Sequence, residues 1–165
     1  MPRRERPQFR LGFVEPCIPT PSKKVPTGEL WVHELKHDGY RLLAKRTGNR
    51  VRLFTRGGYD WTNRYPRIVQ AVNKLRVKTL LMDGEAVCLD KKGRPDFDRL
   101  HTKCFDHEAV MYAFDLIELN GVDWTKEPLE KRKARLAKVL KDNDVLATTS
   151  TSSKTARRFS SLPAS

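Results

Sequence analysis

Strand-length runs set off by glycine-bearing turn pairs constrain this chain most. Asp38-Gly39, Thr47-Gly48-Asn49, Asp83-Gly84 and Asn120-Gly121 are hairpin signals, because their residues accept the positive φ that tight turns require. LWVHELK alternates, with Trp31, His33 and Leu35 on one face and Val32, Glu34 and Lys36 on the other. RLLAKR and RVRLFTR read as strands on either side of Gly48. VKTLLMDGEAVCLD reads as two strands around Asp83-Gly84, closed by Lys91-Lys92-Gly93. HEAVMYAFDLIEL is a further apolar strand, ended by Asn120-Gly121.

Two segments change period. Tyr65, Ile68, Val72 and Leu75 fall at helical spacing over residues 64–76, with Pro66 in the first turn and Thr62 or Asn63 as the cap. Residues 128–141 form a basic amphipathic helix with Leu129, Leu136 and Leu140 inward. The expected class is α+β: antiparallel sheets flanked by helices. Residues 1–29, rich in Pro, Lys and Arg, form an extended basic lead-in, and residues 30–147 the folded part. Ten of the eighteen residues in 148–165 are Ser or Thr, without periodicity, so that tail is expected to be disordered.

Lys and Arg number 33 against 20 Asp and Glu, giving a formal charge of +13 and a pI near 10.0. That balance suits a polyanion, nucleic acid before an anionic membrane. Lys23, Lys24 and Arg10 are candidates for phosphate contact, although each alone is more simply a solvated charge. No apolar run approaches the eighteen or so residues that span a bilayer, and no apolar segment follows the basic N-terminus as in a secretory signal. Cys17, Cys88 and Cys104 are widely spaced and lack a CxxC, which argues against zinc and for a reducing, cytoplasmic setting. Each reads as a small buried hydrophobe.

ELKHDGYR, residues 34–41, asks whether Lys36 is a surface charge or a nucleophile. KxDG alone favours the surface charge by about ten to one. Its weight comes from three later stretches of the chain, in order: Thr55-Arg56-Gly57, Asp83-Gly84-Glu85 and Tyr112-Ala113-Phe114-Asp115-Leu116. Individually, Arg56 could be a solvated strand end, Glu85 a residue after a turn, Phe114 a core aromatic and Asp115 a strand-terminal polar group.

Together the four stretches resemble the adenylation domain of ATP-dependent DNA ligases, a covalent nucleotidyltransferase of ATP-grasp-like core. FVEPCIPTP and PLEKRKARL further resemble bacterial ligases of the end-joining type, and the likeness covers about residues 11–143. The resemblance implies that Lys36 attacks the α-phosphate of ATP to form lysine–AMP, with Mg²⁺ assisting. A lysine does this only as the neutral amine, so its ordinary value near 10.4 must fall, through burial and neighbouring cations. By the same pattern Glu34 and Leu35 meet the adenine, Arg41 and Arg56 hold the ribose–phosphate side and Phe114 stacks on the base. Glu85 would bind a ribose hydroxyl or a metal water, and Asp38 would orient Lys36 or the metal. The implied partner is nicked double-stranded DNA, gripped through its backbone by a monomer, with a Ku-like end-joining protein alongside in the bacterial nucleoid.

The resemblance departs at its end. The family's next glutamate motif and its two-lysine strand are absent, which implies an incomplete domain with open sheet edges. A shift of reading frame near residues 144–148 would account for the Ser/Thr-rich tail. Two other readings remain open: a related RNA ligase or capping enzyme, and an inactive fragment that at most binds nucleic acid.

Overall fold

The structure, a computed structural model, describes residues 13–24 and 33–149. One six-stranded sheet organises it. β1 (Tyr40–Thr47) and β2 (Arg50–Thr55) form a hairpin through the Gly48-Asn49 turn, with Leu43 opposite Phe54 and Ala44 opposite Leu53. β1 also pairs with β3 (Thr79–Val87), and β3 with β4 (Val110–Leu119), all antiparallel. Asn120-Gly121 turns β4 into the short β5 (Val122–Asp123). β6 (Leu146–Thr148) joins β4 in parallel, so the strand order is β2-β1-β3-β4-β5 with β6 beside β4.

Helices α1 (Pro66–Lys74) and α3 (Leu129–Val139), with the short α2 (Phe97–His101), cover one face. Leu42, Ala44 and Leu53 alternate toward them and meet Ile68 and Val72 of α1, Leu100 of α2 and Leu136 of α3, all within one core. Each such buried aliphatic side chain contributes about 1.5–3 kcal/mol. Tyr65, Ile68, Val72 and Leu75 are all buried, as their spacing requires. α1 begins at Pro66 after Tyr65, and neither Thr62 nor Asn63 caps it. Thr62 is used elsewhere: its hydroxyl accepts from the Leu53 N–H at 3.0 Å. The amphipathic helix is shorter than expected, ending at Val139.

The pair Asp83-Gly84 is not a turn. β3 runs unbroken through it, and the irregularity lies in β4. Asp83 pairs with Asp115 and Gly84 with Ala113, so Phe114 has no partner; likewise Leu81 pairs with Glu118 and Met82 with Leu116, passing over Ile117. Each bulge reverses the in–out alternation, which is why Ala113, Leu116 and Leu119 all reach the core despite their spacing. Gly84 is required by contact: a Cβ there would lie 2.6 Å from the Tyr112 carbonyl oxygen and 2.9 Å from Ala113 Cα. Asp38-Gly39 is likewise no hairpin, since the chain passes from it directly into β1.

Other expectations shift as well. Residues 30–32 of LWVHELK lie outside the described residues, and Lys36 precedes β1 rather than lying in a strand. Thr148 closes β6 and Thr149 is buried, so the fold continues past the expected start of the tail; residues 150–165 and 1–12 lie outside the described residues. Of the cysteines only Cys88 is buried; Cys17 and Cys104 are exposed. No helix among the described residues is long and apolar enough to cross a membrane.

Gly84→Ala is expected to lower the unfolding free energy by about 2–3 kcal/mol, because backbone on β4 cannot move aside without breaking the bulge. Gly48→Ala, at φ +59° with nothing near its Cβ, should cost about 1 kcal/mol. Urea denaturation of the two variants checks the order.

Candidate functional site

The sheet's other face carries charged residues beside a small apolar cluster of Leu43, Phe54 and Leu81, packed against Phe13 and Ile117. β1 places Arg41 opposite Glu85 of β3, and antiparallel partners share a face, so both point away from the helices. The segment before β1 lies against β3 here. A Cβ on Gly39 would fall 2.1 Å from the Ala86 carbonyl oxygen, so only glycine lets the chain approach. This close passage delivers Lys36 and His37 to the same face.

A cavity of about 780 Å³ results. It gathers Glu34, Leu35, Lys36, Arg41, Arg56, Glu85 and Phe114, every expected site residue except Asp38. Asp38 sits behind Lys36: Lys36 Nζ donates to Asp38 Oδ1 at 3.1 Å, and both side chains are exposed. Arg56 follows β2 in a tight loop, where the Gly58 N–H donates to the Thr55 carbonyl and the Tyr59 N–H to Thr55 Oγ1. Phe114 reaches the cavity because it is the bulged residue of β4, freed from the pleat's alternation.

Arg41 holds a partner the sequence reading did not foresee. Its Nε and Nη2 donate to the two oxygens of Asp83 at 3.1 and 2.6 Å, a fork-to-carboxylate pair between β1 and β3. The Asp83 side chain is only 5% exposed and that of Arg41 18%. Burial raises the Asp83 carboxyl above the usual carboxylate range, although the Arg41 hydrogen bond and charge pull it down. Asp83 in turn raises the Arg41 guanidinium, which also lies 5.5 Å from the centre of the Phe114 ring. Burial raises Glu85 too, opposed by the Lys36 charge and the Gly39 N–H.

Glu34 is engaged as well. Its carboxylate pairs with Lys133 of α3 and accepts from Thr149 Oγ1 at 3.1 Å. One wall of the cavity is aromatic: Tyr40 and Trp61 meet edge to face at 5.2 Å. Arg64 holds both from behind, its guanidinium 5.0 Å from the Tyr40 ring centre and 4.3 Å from that of Trp61, and it is anchored on Asp106 at 2.6 Å. His37 stacks on Tyr112 at 4.0 Å, and burial lowers its pKa.

Sequence reasoning missed Asp83, Tyr40, Trp61, Lys133 and Thr149. Tyr40 lies inside ELKHDGYR, and Trp61 follows Thr55-Arg56-Gly57 by four residues. Asp83 reads as a turn residue, Lys133 as one of the basic residues of the amphipathic helix and Thr149 as part of the tail. Asp115, read as a strand-terminal polar residue, is paired with Arg132 of α3 at 2.8 Å.

The ATP dependent DNA ligase domain model matches residues 18–162. The chain belongs to that family. It is 40% identical over 136 residues to the multifunctional non-homologous end joining protein LigD of Pseudomonas aeruginosa, covering 80% of this chain and 16% of that protein. It is 30% identical over 155 residues to a DNA ligase of Methanocaldococcus jannaschii, covering 82% of this chain and 27% of that one. In structure it is similar to the ligase domain of M. tuberculosis LigD, with a TM-score of 0.60 and 29% identity over 73% of this chain and 40% of that domain. A mycobacterial DNA ligase D complexed with ATP and MES gives the same TM-score. The chain thus spans well under a third of the length of these two full-length relatives.

Arg41→Met is expected to cost about 3–5 kcal/mol near neutral pH, because it leaves the Asp83 carboxylate buried without its counter-ion. Losing Arg41 removes the influences that lower Asp83, so its folded pKa rises further above the unfolded one. Between those two values the folded state binds the extra proton, and stability falls as pH rises. The deficit against wild type should therefore be larger at pH 8 than at pH 5 when denaturant midpoints are compared. Equal deficits would count against an ionised, buried Asp83.

Proposed function

We propose that the cavity is a nucleotidyl-transfer site in which Lys36 takes AMP from ATP. Convergence carries this reading: four separate stretches bring Lys36, Arg41, Arg56, Glu85 and Phe114 to one cavity, on the face of the sheet that the helices leave open. Its volume lies in the range of small-molecule sites. Phe114, Tyr40 and Trp61 supply the apolar faces that a purine ring stacks on. The likeness to a ligase D solved with ATP supports the same ligand.

The attacking amine must be neutral, so before attack the Lys36–Asp38 ion pair opens and Nζ gives a proton to the surrounding water, to which both side chains are exposed. Nζ then bonds to the α-phosphorus while the bond from that phosphorus to the bridging oxygen of the β-phosphate breaks, and pyrophosphate departs. The product is a phosphoramidate on Lys36. Arg56, exposed at the cavity wall, steadies phosphate charge. Arg41 holds the ribose–phosphate side while Asp83 fixes its direction. Phe114 stacks on the adenine, and Glu85 receives a ribose hydroxyl.

Among the described residues no three His, Cys, Asp or Glu side chains gather into a metal site. Magnesium in nucleotide chemistry needs only one or two carboxylates, with water and phosphate completing its shell. Glu85, at the cavity wall, fits that requirement, whereas Asp38 lies outside the lining and pairs with Lys36; the ion would offset charge on the departing pyrophosphate. Passage of AMP to the 5′-phosphate of nicked double-stranded DNA, sealing during repair, and work beside a Ku-like partner extend the same reading. The surplus of basic residues suits the phosphate backbone.

Incubation with α-labelled ATP and magnesium, followed by a denaturing gel, should show a labelled adduct at the mass of the chain. The adduct should break down in acid, as a phosphoramidate does, and vanish in Lys36→Ala. Wild-type protein that melts cooperatively yet takes up no label would overturn the proposal and favour a fragment that retains the fold without the chemistry.

A further inference from the structure

We infer that Lys133 is a positioning residue that sets the base preference of the nucleotide cavity, acting through Glu34. The inference rests on the nucleotide-transfer reading above.

Three consecutive basic residues of α3 have three different fates. Lys131 stays exposed and pairs with Glu127 one turn back, at 3.3 Å. Arg132 turns to Asp115 on β4. Lys133 is drawn inward, with only 14% of its side chain exposed. An ammonium so placed is costly unless it is paired and hydrogen-bonded. Lys133 has both: the Glu34 carboxylate, and Thr149 Oγ1 at 3.3 Å. The Thr149 hydroxyl donates to Glu34 Oε1, closing a triangle of three side chains. Thr149 is itself fixed, since its N–H donates to the Ala113 carbonyl at 3.0 Å, next to Phe114.

Glu34 and Thr149 line the cavity and Lys133 does not. Whatever Lys133 does for a bound nucleotide therefore passes through Glu34. Both contacts of the triangle fall on Oε1 of Glu34. An ionised carboxylate accepts at both oxygens and donates at neither, so Oε2 can take a donor from the cavity. A 6-amino purine offers such a donor, whereas a 6-oxo purine presents an acceptor and is repelled. Lys133 secures this selectivity by holding Glu34 ionised and aimed. A neutral residue at 133 leaves the carboxylate free to take up a proton or swing away, and a protonated carboxyl donates and so tolerates a 6-oxo base.

Equilibrium binding of ATP and GTP to wild type, Lys133→Met, Lys133→Arg and Lys138→Met tests this. Lys138 is exposed on the same helix and serves as the control. Wild type should prefer ATP by at least about tenfold, the scale of one charge-assisted hydrogen bond. Lys133→Met should lose most of that preference, Lys133→Arg should keep it, and Lys138→Met should match wild type. Lys133→Gln, which retains a polar head without the charge, replaces the Met variant if melting shows that the latter is unfolded. Weaker binding of both nucleotides with the ratio intact would make Lys133 merely structural and overturn the inference. So would a wild type that binds ATP and GTP alike, which leaves the nucleotide reading standing. A folded wild type that binds neither nucleotide overturns both.

Discussion

β4 carries one residue more than β3 can pair between Asp83 and Gly84, and the cavity depends on that mismatch. A regular ladder would continue the alternation of Met111 and Ala113, sending Asp115 into the core and burying a carboxylate among aliphatic side chains. The unpaired Phe114 resets the alternation. Leu116 takes the core position instead, Phe114 turns to the cavity, and Asp115 comes to rest on Arg132 of α3. Gly84 is the counterpart on β3, since the bulged backbone approaches it too closely for any Cβ. The two sequence signatures DGE and FDL are thus one structural device, seen from the two strands that make it.

Electrostatics on the open face follows from the same geometry. Asp83 is nearly out of solvent, and burial penalises its charged form unless a counter-ion answers it. Arg41 supplies it in the bidentate form that recovers most of the cost of burial, and the pair pins β1 to β3 beside the cavity. A guanidinium fixed in this way has little freedom left to lose when a ligand arrives, which is what preorganisation for an anion requires. Lys36, by contrast, is exposed and, among the described residues, donates to Asp38. The rigid cation and the movable amine are set apart by burial, although their sequence positions are five residues apart.

How much of this was legible depends on which principles act locally. Helix α1 could be read because Tyr65, Ile68, Val72 and Leu75 repeat at its period and all reach the core. The Gly48 and Asn120-Gly121 turns could be read because positive φ is a property of the residues themselves. Asp83-Gly84 and Asp38-Gly39 misled for the same reason. In both, glycine is present for the close approach of another strand, and that strand lies elsewhere in the sequence. Ordered motifs name the candidate site residues, and the cavity gathers all of these but Asp38. Their partners could not: Asp83 for Arg41, Lys133 for Glu34 and Arg64 behind Tyr40 and Trp61 are all set by tertiary contact.

The parallel pairing of β6 with β4 explains why Thr148 and Thr149 escape the composition of the segment they begin. Their residue types alone carry no packing signal, and eight of the sixteen residues after them are again Ser or Thr. What orders them is position. Met111–Ala113 presents a free edge to Leu146–Thr148, and Leu146 is buried in the core as it pairs. The strand delivers Thr149 to Ala113 on one side and to the Glu34–Lys133 pair on the other. The segment bearing Lys36 is thereby tied to α3 and β6 at Glu34 and to β3 at Gly39. Between these two anchors lie Leu35 to Asp38, with His37 stacked on Tyr112, a span short enough to hold the Lys36 amine at the cavity.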